Sequence, residues 1–142
     1  MSTDVNDPPA SSAPAQVSAY ERIGGAEVVR RLAERFYDIL ESSAEAAGIR
    51  GMHAADLTPM RQKLFQFMSG WLGGPNLYFA RSDRKCMMSA HAPYDIGRSE
   101  RDQWLACMHR ALQEEGVPSP LRDQVEAALF RFADALRRSQ SN

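Results

Sequence analysis

A chain of 142 residues with 17 basic and 18 acidic side chains, formal charge -1, fits one domain, since a domain commonly takes about 100 to 200 residues. That balance gives no electrostatic reason to expect nucleic acid as a partner. Cys86 and Cys107 stand 21 positions apart with no C-x-x-C spacing, which fits neither a disulfide framework nor a zinc site, so they read as a core thiol and a loop thiol. There is no basic segment followed by an apolar run at the N-terminus and no stretch of about 18 apolar residues; the expectation is a cytoplasmic protein without a membrane segment.

Residues 1–18 are rich in Pro, Ser, Ala, Asp and Asn and offer little to offset the entropy of ordering, so a disordered extension is expected there. The domain then runs from 19 to 138, with 139–142 a flexible C-terminus. After Gly24-Gly25, a helix from Ala26 to about Ser42 carries Val28, Val29, Leu32, Phe36, Ile39 and Leu40 on one side. Gly48 to His53 reads as a loop. A second helix is expected to open at Thr58-Pro59, with Thr58 as the N-cap. It carries Met60, Leu64, Phe67, Met68 and Trp71, and Gly73-Gly74-Pro75 stops it. A short helical turn is expected around Asp83 to Ala90, and Pro93 argues against a regular helix beyond His91. A third long helix spans about Ser99 to Glu115, with Trp104, Leu105, Met108, Ala111 and Leu112 inward and Gly116 as its stop. The last opens at Ser119-Pro120, with Ser119 as the N-cap before the proline, and carries Leu121, Val125, Leu129, Phe132 and Leu136. No segment alternates as a strand does, so the fold class is all-α.

Only three histidines are present, His53, His91 and His109, which rules out an H-E-x-x-H type of metal site. A single strong iron ligand suffices for haem, because the porphyrin supplies four nitrogens and asks only for one axial histidine and a dry apolar slot. His91 precedes Ala92-Pro93, where the proline ends a turn and can direct the imidazole outward. Alone, a histidine beside a loop is more often a surface or structural residue than a ligand. Tyr37 and Trp104 likewise read, by themselves, as amphipathic core residues. His109, beside Arg110, reads as a surface residue.

Several ordered motifs carry a more specific message. These are Gly24-Gly25, Arg35-Phe36-Tyr37, Gly73-Gly74-Pro75 with Tyr78, the run from His91 to Ile96, and the run from Glu100 to Met108. From Tyr20 to about Leu136 the chain resembles the truncated haemoglobins of group II. The resemblance implies a globin-like, two-over-two helical sandwich around haem b (iron protoporphyrin IX), binding dioxygen and other small diatomic ligands. His91 then corresponds to the proximal iron ligand, while Tyr37 and Trp104 correspond to donors directed at the bound gas. His53 corresponds to a third polar group of that distal pocket, with a solvent-facing loop histidine as the alternative. Met60 and Leu64 are placed over the distal face, Met60 where many globins keep a histidine.

By the same resemblance, Lys63, Tyr78 and Arg81 are candidates to meet the haem propionates, and Phe67, Met88, Tyr94 and Ile96 to line the cofactor. Relatives often carry arginine immediately before the proximal histidine, whereas Met88-Ser89-Ala90 stands here, which leaves Arg84 or Lys85 as substitutes. The implied function is gas binding, carriage or sensing. The alternative is redox catalysis: nitric oxide dioxygenation, nitrite reduction or peroxidase-like chemistry. The chain shows no nucleotide- or flavin-binding motif, so sustained turnover would need a separate reductase. A monomer or a homodimer is expected.

Overall fold

The computed structural model describes residues 17–78, 80, 91 and 96–139. Every regular element among them is helical: α1 (Ala19–Ile23), α2 (Gly25–Ser42), a 3-10 turn (Ala44–Ala46), α3 (Ala47–Arg50), α4 (Thr58–Trp71), α5 (Arg98–Glu114) and α6 (Ser119–Ser139). Residues 1–16 of the extension expected over 1–18, the turn expected around Asp83 to Ala90, and residues 140–142 of the C-terminus lie outside the described residues.

The apolar stripe of α2 became the centre of the core. Val29, Leu32, Phe36 and Leu40 are sealed from solvent and Ile39 nearly so, because positions three and four apart fall on one helical face. α4 and α5 both pack on α2, and α5 packs in turn on α6. The inward residues of the last helix, Leu121, Val125, Leu129 and Leu136, are buried. Across the layers the Phe67 ring of α4 meets Phe132 of α6 at 5.5 Å.

The second helix stops where Gly73-Gly74 predicts. Gly73 has φ 96, a left-handed backbone that suits glycine, and a Cβ on Gly74 would overlap the Tyr20 ring. That close approach lets Tyr20 N–H donate to the Leu72 carbonyl at 2.9 Å, tying α1 to the end of α4. α1 itself is capped by Ser18, whose Oγ accepts from Glu21 N–H.

Three local expectations need correction. Thr58 is the first helical residue and not the cap; the Asp56 carboxylate accepts Thr58 N–H at 3.0 Å, a charged acceptor at a helix N-terminus where negative charge is favoured. That bond holds the Asp56 carboxyl below its ordinary range. Ser119 likewise lies inside its helix, and the Pro118 carbonyl accepts from Arg122 N–H. The stretch read as a loop from Gly48 is helical through Arg50, then turns.

α5 and α6 are joined by charge. Asp134 accepts from Arg137 and from Arg101, each at 2.8 Å, and these bonds, Arg137 first, hold its carboxyl below the ordinary range. A carboxyl depressed by folding stabilises the fold at any pH above its unfolded value, about 3.9, and that contribution fades as pH falls through the lower folded value. Asp134→Asn is therefore expected to lower the melting temperature by a constant amount near neutral pH. Melting curves taken at successively more acidic pH should show the gap closing below about pH 3.9; a gap that widens there contradicts the pairing.

Candidate ligand-binding site

The candidate site forms where α2, the turn after α3 and the first half of α5 converge. Phe36 and Tyr37 are consecutive on α2, with ring centroids 4.9 Å apart in an edge-on arrangement. Trp104 on α5 lies 5.1 Å from Phe36. His53 approaches Tyr37 at 5.7 Å with the rings near perpendicular. Residues separated by up to 68 positions, from Phe36 to Trp104, thus share one aromatic cluster, and all three polar candidates border it.

Tyr37 is 3% exposed, and burial pushes its phenol well above the ordinary range, with Arg61 opposing that weakly. The hydroxyl therefore keeps its proton and stays a donor. Neither it nor the Trp104 indole N–H has a hydrogen-bond partner among the described residues. Ser69 Oγ is also unpartnered but is completely sealed, which separates a packing accident in α4 from donors at an open edge.

His53 does have a partner. Its Nδ1 lies 2.8 Å from the Ile49 carbonyl oxygen, and a carbonyl only accepts, so Nδ1 carries the proton and Nε2 is the bare nitrogen. Met60 is half-buried at the start of α4, Leu64 and Phe67 are buried behind it, and Tyr78 is buried edge-on to Phe67 at 6.1 Å. Lys63 is exposed, while Ile96 and His91 are half-buried, His91 on helical backbone. Arg81, Met88 and Tyr94, with Cys86, Arg84 and Lys85, lie outside the described residues. His109 is at the surface, paired with Glu126 at 2.8 Å. Cys107 is buried, and burial raises its thiol, as a core thiol should.

Two features escaped the sequence reading. Arg61 donates to Glu34 and Asp38, both at 2.9 Å, and reaches Glu41 at 3.6 Å, clamping α4 over the Tyr37 segment. The acidic spacing Glu34, Asp38, Glu41 on one face of α2 was the available signal. The second is Phe36, read only as core, whose ring is the common neighbour of Tyr37 and Trp104. A surface groove of about 500 Å³ beside Ile39, Gln103 and Cys107 includes none of the candidate ligand-binding residues.

Among the described residues no group of three or more His, Cys, Asp or Glu could hold a bare metal ion. What the residues present do fit is a flat apolar group that brings its own equatorial donors. They offer an apolar wall from Leu64 and Phe67, two unpartnered N–H and O–H donors, and one half-buried histidine.

Known proteins agree with that fit. Residues 18–138 match the family model of bacterial-like globins. The chain is 32% identical over 104 residues to the group 2 truncated hemoglobin YjbI of Bacillus subtilis, covering 73% of this chain and 76% of that protein. The group II 2-on-2 hemoglobin of Agrobacterium tumefaciens superposes with a TM-score of 0.81 at 36% identity, over 85% of this chain and 94% of that one. The cold-adapted truncated hemoglobin of Pseudoalteromonas haloplanktis gives 0.80 at 34% identity, over 84% and 97%. The chain belongs to the bacterial-like globins, as a truncated haemoglobin of group II with the two-over-two fold. It is accordingly a haem protein of a class that binds small diatomic ligands.

Because the Tyr37 hydroxyl has no partner among the described residues, removing it should leave the fold intact. Tyr37→Phe is expected to change the unfolding free energy by less than about 1 kcal/mol, read from urea unfolding. A loss of about 2 kcal/mol or more would mean that the hydroxyl is bonded within the protein.

Proposed function

We propose that His91 is the proximal iron ligand of a haem b. Tyr37 and Trp104, with His53 beside them, would form the hydrogen-bonding distal side of a site that retains dioxygen for carriage or sensing in the cytoplasm. The observation that carries this reading is the pair of donors without a partner among the described residues, Tyr37 O–H and Trp104 N–H, on rings that both pack against Phe36. Haem, when bound, supplies a ferrous iron that takes up dioxygen, carbon monoxide or nitric oxide reversibly. The protein's part is orientation and charge. Dioxygen held at such a site draws partial negative charge, which a preorganised hydroxyl and indole N–H stabilise without having to reorganise.

Met60 and Leu64 offer no donor, so that duty falls to Tyr37 and Trp104. Lys63 and Arg81 are the cations proposed to meet the propionates, with Tyr78 as a further donor. Phe67, Met88, Tyr94 and Ile96 are proposed to line the macrocycle. The chain has no C-x-x-C-H sequence for covalent attachment, which favours haem b.

Absorption spectra of the haem-reconstituted protein test the ligand. Wild type should show a Soret band with a ferrous carbonyl form, and His91→Ala should lose it or change its coordination; an identical spectrum overturns the assignment of His91. Stopped-flow release of dioxygen tests the donors. Tyr37→Phe and Trp104→Phe should each speed release about tenfold, the equivalent of one hydrogen bond of about 1.4 kcal/mol. Unchanged rates overturn their role. Sustained consumption of nitric oxide, nitrite or peroxide on addition of a reductase and its electron donor would move the reading from carrier to enzyme.

A further inference from the structure

α3 is a single helical turn of four residues, Ala47–Arg50, too short to hold itself in water. Its first-turn N–H groups have no intrahelical acceptor. One of them finds its acceptor on a different helix: Ile49 N–H donates to Gln103 Oε1 on α5 at 3.1 Å. Gln103 is itself fixed, because its Nε2 donates to Ser99 Oγ at 2.9 Å one turn earlier. The contact is close: a Cβ on Gly48 would lie 3.0 Å from Gln103 Oε1 and 3.1 Å from Nε2, so a side chain at residue 48 would make the amide shift by a few tenths of an ångström.

The other side of Ile49 faces the candidate site. Its carbonyl accepts Met52 N–H at 3.1 Å and stands 2.8 Å from His53 Nδ1. The two groups of one residue thus connect α5 to the distal histidine: Ser99 hydroxyl, Gln103 amide, Ile49 backbone, His53 ring. Gln103 immediately precedes Trp104, so the helix that presents the indole also sets the imidazole.

We propose that Gln103 is the positioning residue of the distal pocket, holding the Ile49 backbone so that His53 is locked as the Nδ1–H tautomer with Nε2 left as an acceptor. A lone pair at Nε2 can take a hydrogen bond from a pocket water, or from Tyr37 only when its one O–H is not given to a ligand, and it cannot donate to a bound gas while the ring is neutral. Tyr37 and Trp104 are then the donors to the gas, and His53 stands beside Tyr37 as an acceptor for a pocket water. The assignment rests on the reading of this pocket as the distal side of a haem site, but its test does not.

The test is long-range nitrogen-proton NMR of the His53 ring in the full-length, haem-reconstituted, reduced and carbon monoxide-saturated protein, above the ordinary histidine titration range. Wild type should show one tautomer, protonated at Nδ1. Gln103→Leu should shift both ring nitrogens toward the averaged positions of a free imidazole and speed Ile49 amide exchange about tenfold or more, the loss of one hydrogen bond. Gln103→Glu keeps an acceptor oxygen for Ile49 N–H and should restore the wild-type ring pattern. Gln103→Ala, which also deletes the amide, should shift the ring as Gln103→Leu does and serves if that variant fails to fold. A His53 ring that stays purely Nδ1-protonated in both Gln103→Leu and Gln103→Ala overturns the proposal, as does a wild-type ring protonated at Nε2. A sample without a Soret band overturns the haem reading instead, and its ring nitrogens still report on Gln103.

Discussion

Phe36 is the residue on which the site and the fold both depend. It is sealed from solvent, it sits at the centre of the α2 stripe, and its ring contacts Tyr37 along its own helix and Trp104 across the α2–α5 contact. Deleting a buried phenylalanine costs about 3 to 5 kcal/mol, and here the cost would not be stability alone. The ring is the spacer that holds a hydroxyl on one helix and an indole on another at a fixed separation. Interior packing is dense and transmits strain, so a gap at Phe36 would release both donors together.

What keeps α2 seated is unevenly distributed between its faces. The apolar face supplies the larger part, because burial of its side chains against α4 and α5 scales with area. The polar face adds register. Arg61 of α4 grips Glu34 and Asp38, and Glu115, just past α5, accepts from Arg31 and Arg35 with its carboxylate only 5% exposed. Exposed ion pairs contribute little one by one, but each of these clusters reaches across a helix contact. A one-residue slip of α2 would break both and turn the Tyr37 hydroxyl about 100° around the axis.

How much of this was legible depends on whether the cause is local. The helices and their buried faces were readable because periodicity and glycine stops act within one element. Val29, Leu32, Phe36 and Leu40 announce their face by spacing, and Gly73-Gly74 announces its turn. The caps were misread by one position, since Asp56 competes with Thr58 as the acceptor and neighbours of similar chemistry cannot be ranked without geometry. α3 was invisible because its acceptor is Gln103, 54 positions from Ile49. The meeting of Tyr37, His53 and Trp104 belongs to the same kind. Each is unremarkable on its own element, and only the likeness of ordered motifs to a family suggested that they converge.

Without a partner among the described residues, the Tyr37 hydroxyl adds little to stability, so a fold selected only for stability could replace Tyr37 with phenylalanine and lose nothing in packing. α2 keeps the hydroxyl, raises its proton affinity by burial so that it always donates, and surrounds it with rings that offer no acceptor except the bare nitrogen of His53. The same economy holds for Trp104, whose apolar body packs on Phe36 while its N–H is left unused. Unspent hydrogen-bonding capacity gathered at one point is what a site for a small, weakly basic ligand requires. Such a ligand has few atoms with which to compete for donors already engaged, and it gains most where water is largely excluded and the protein has already borne the cost of orienting them.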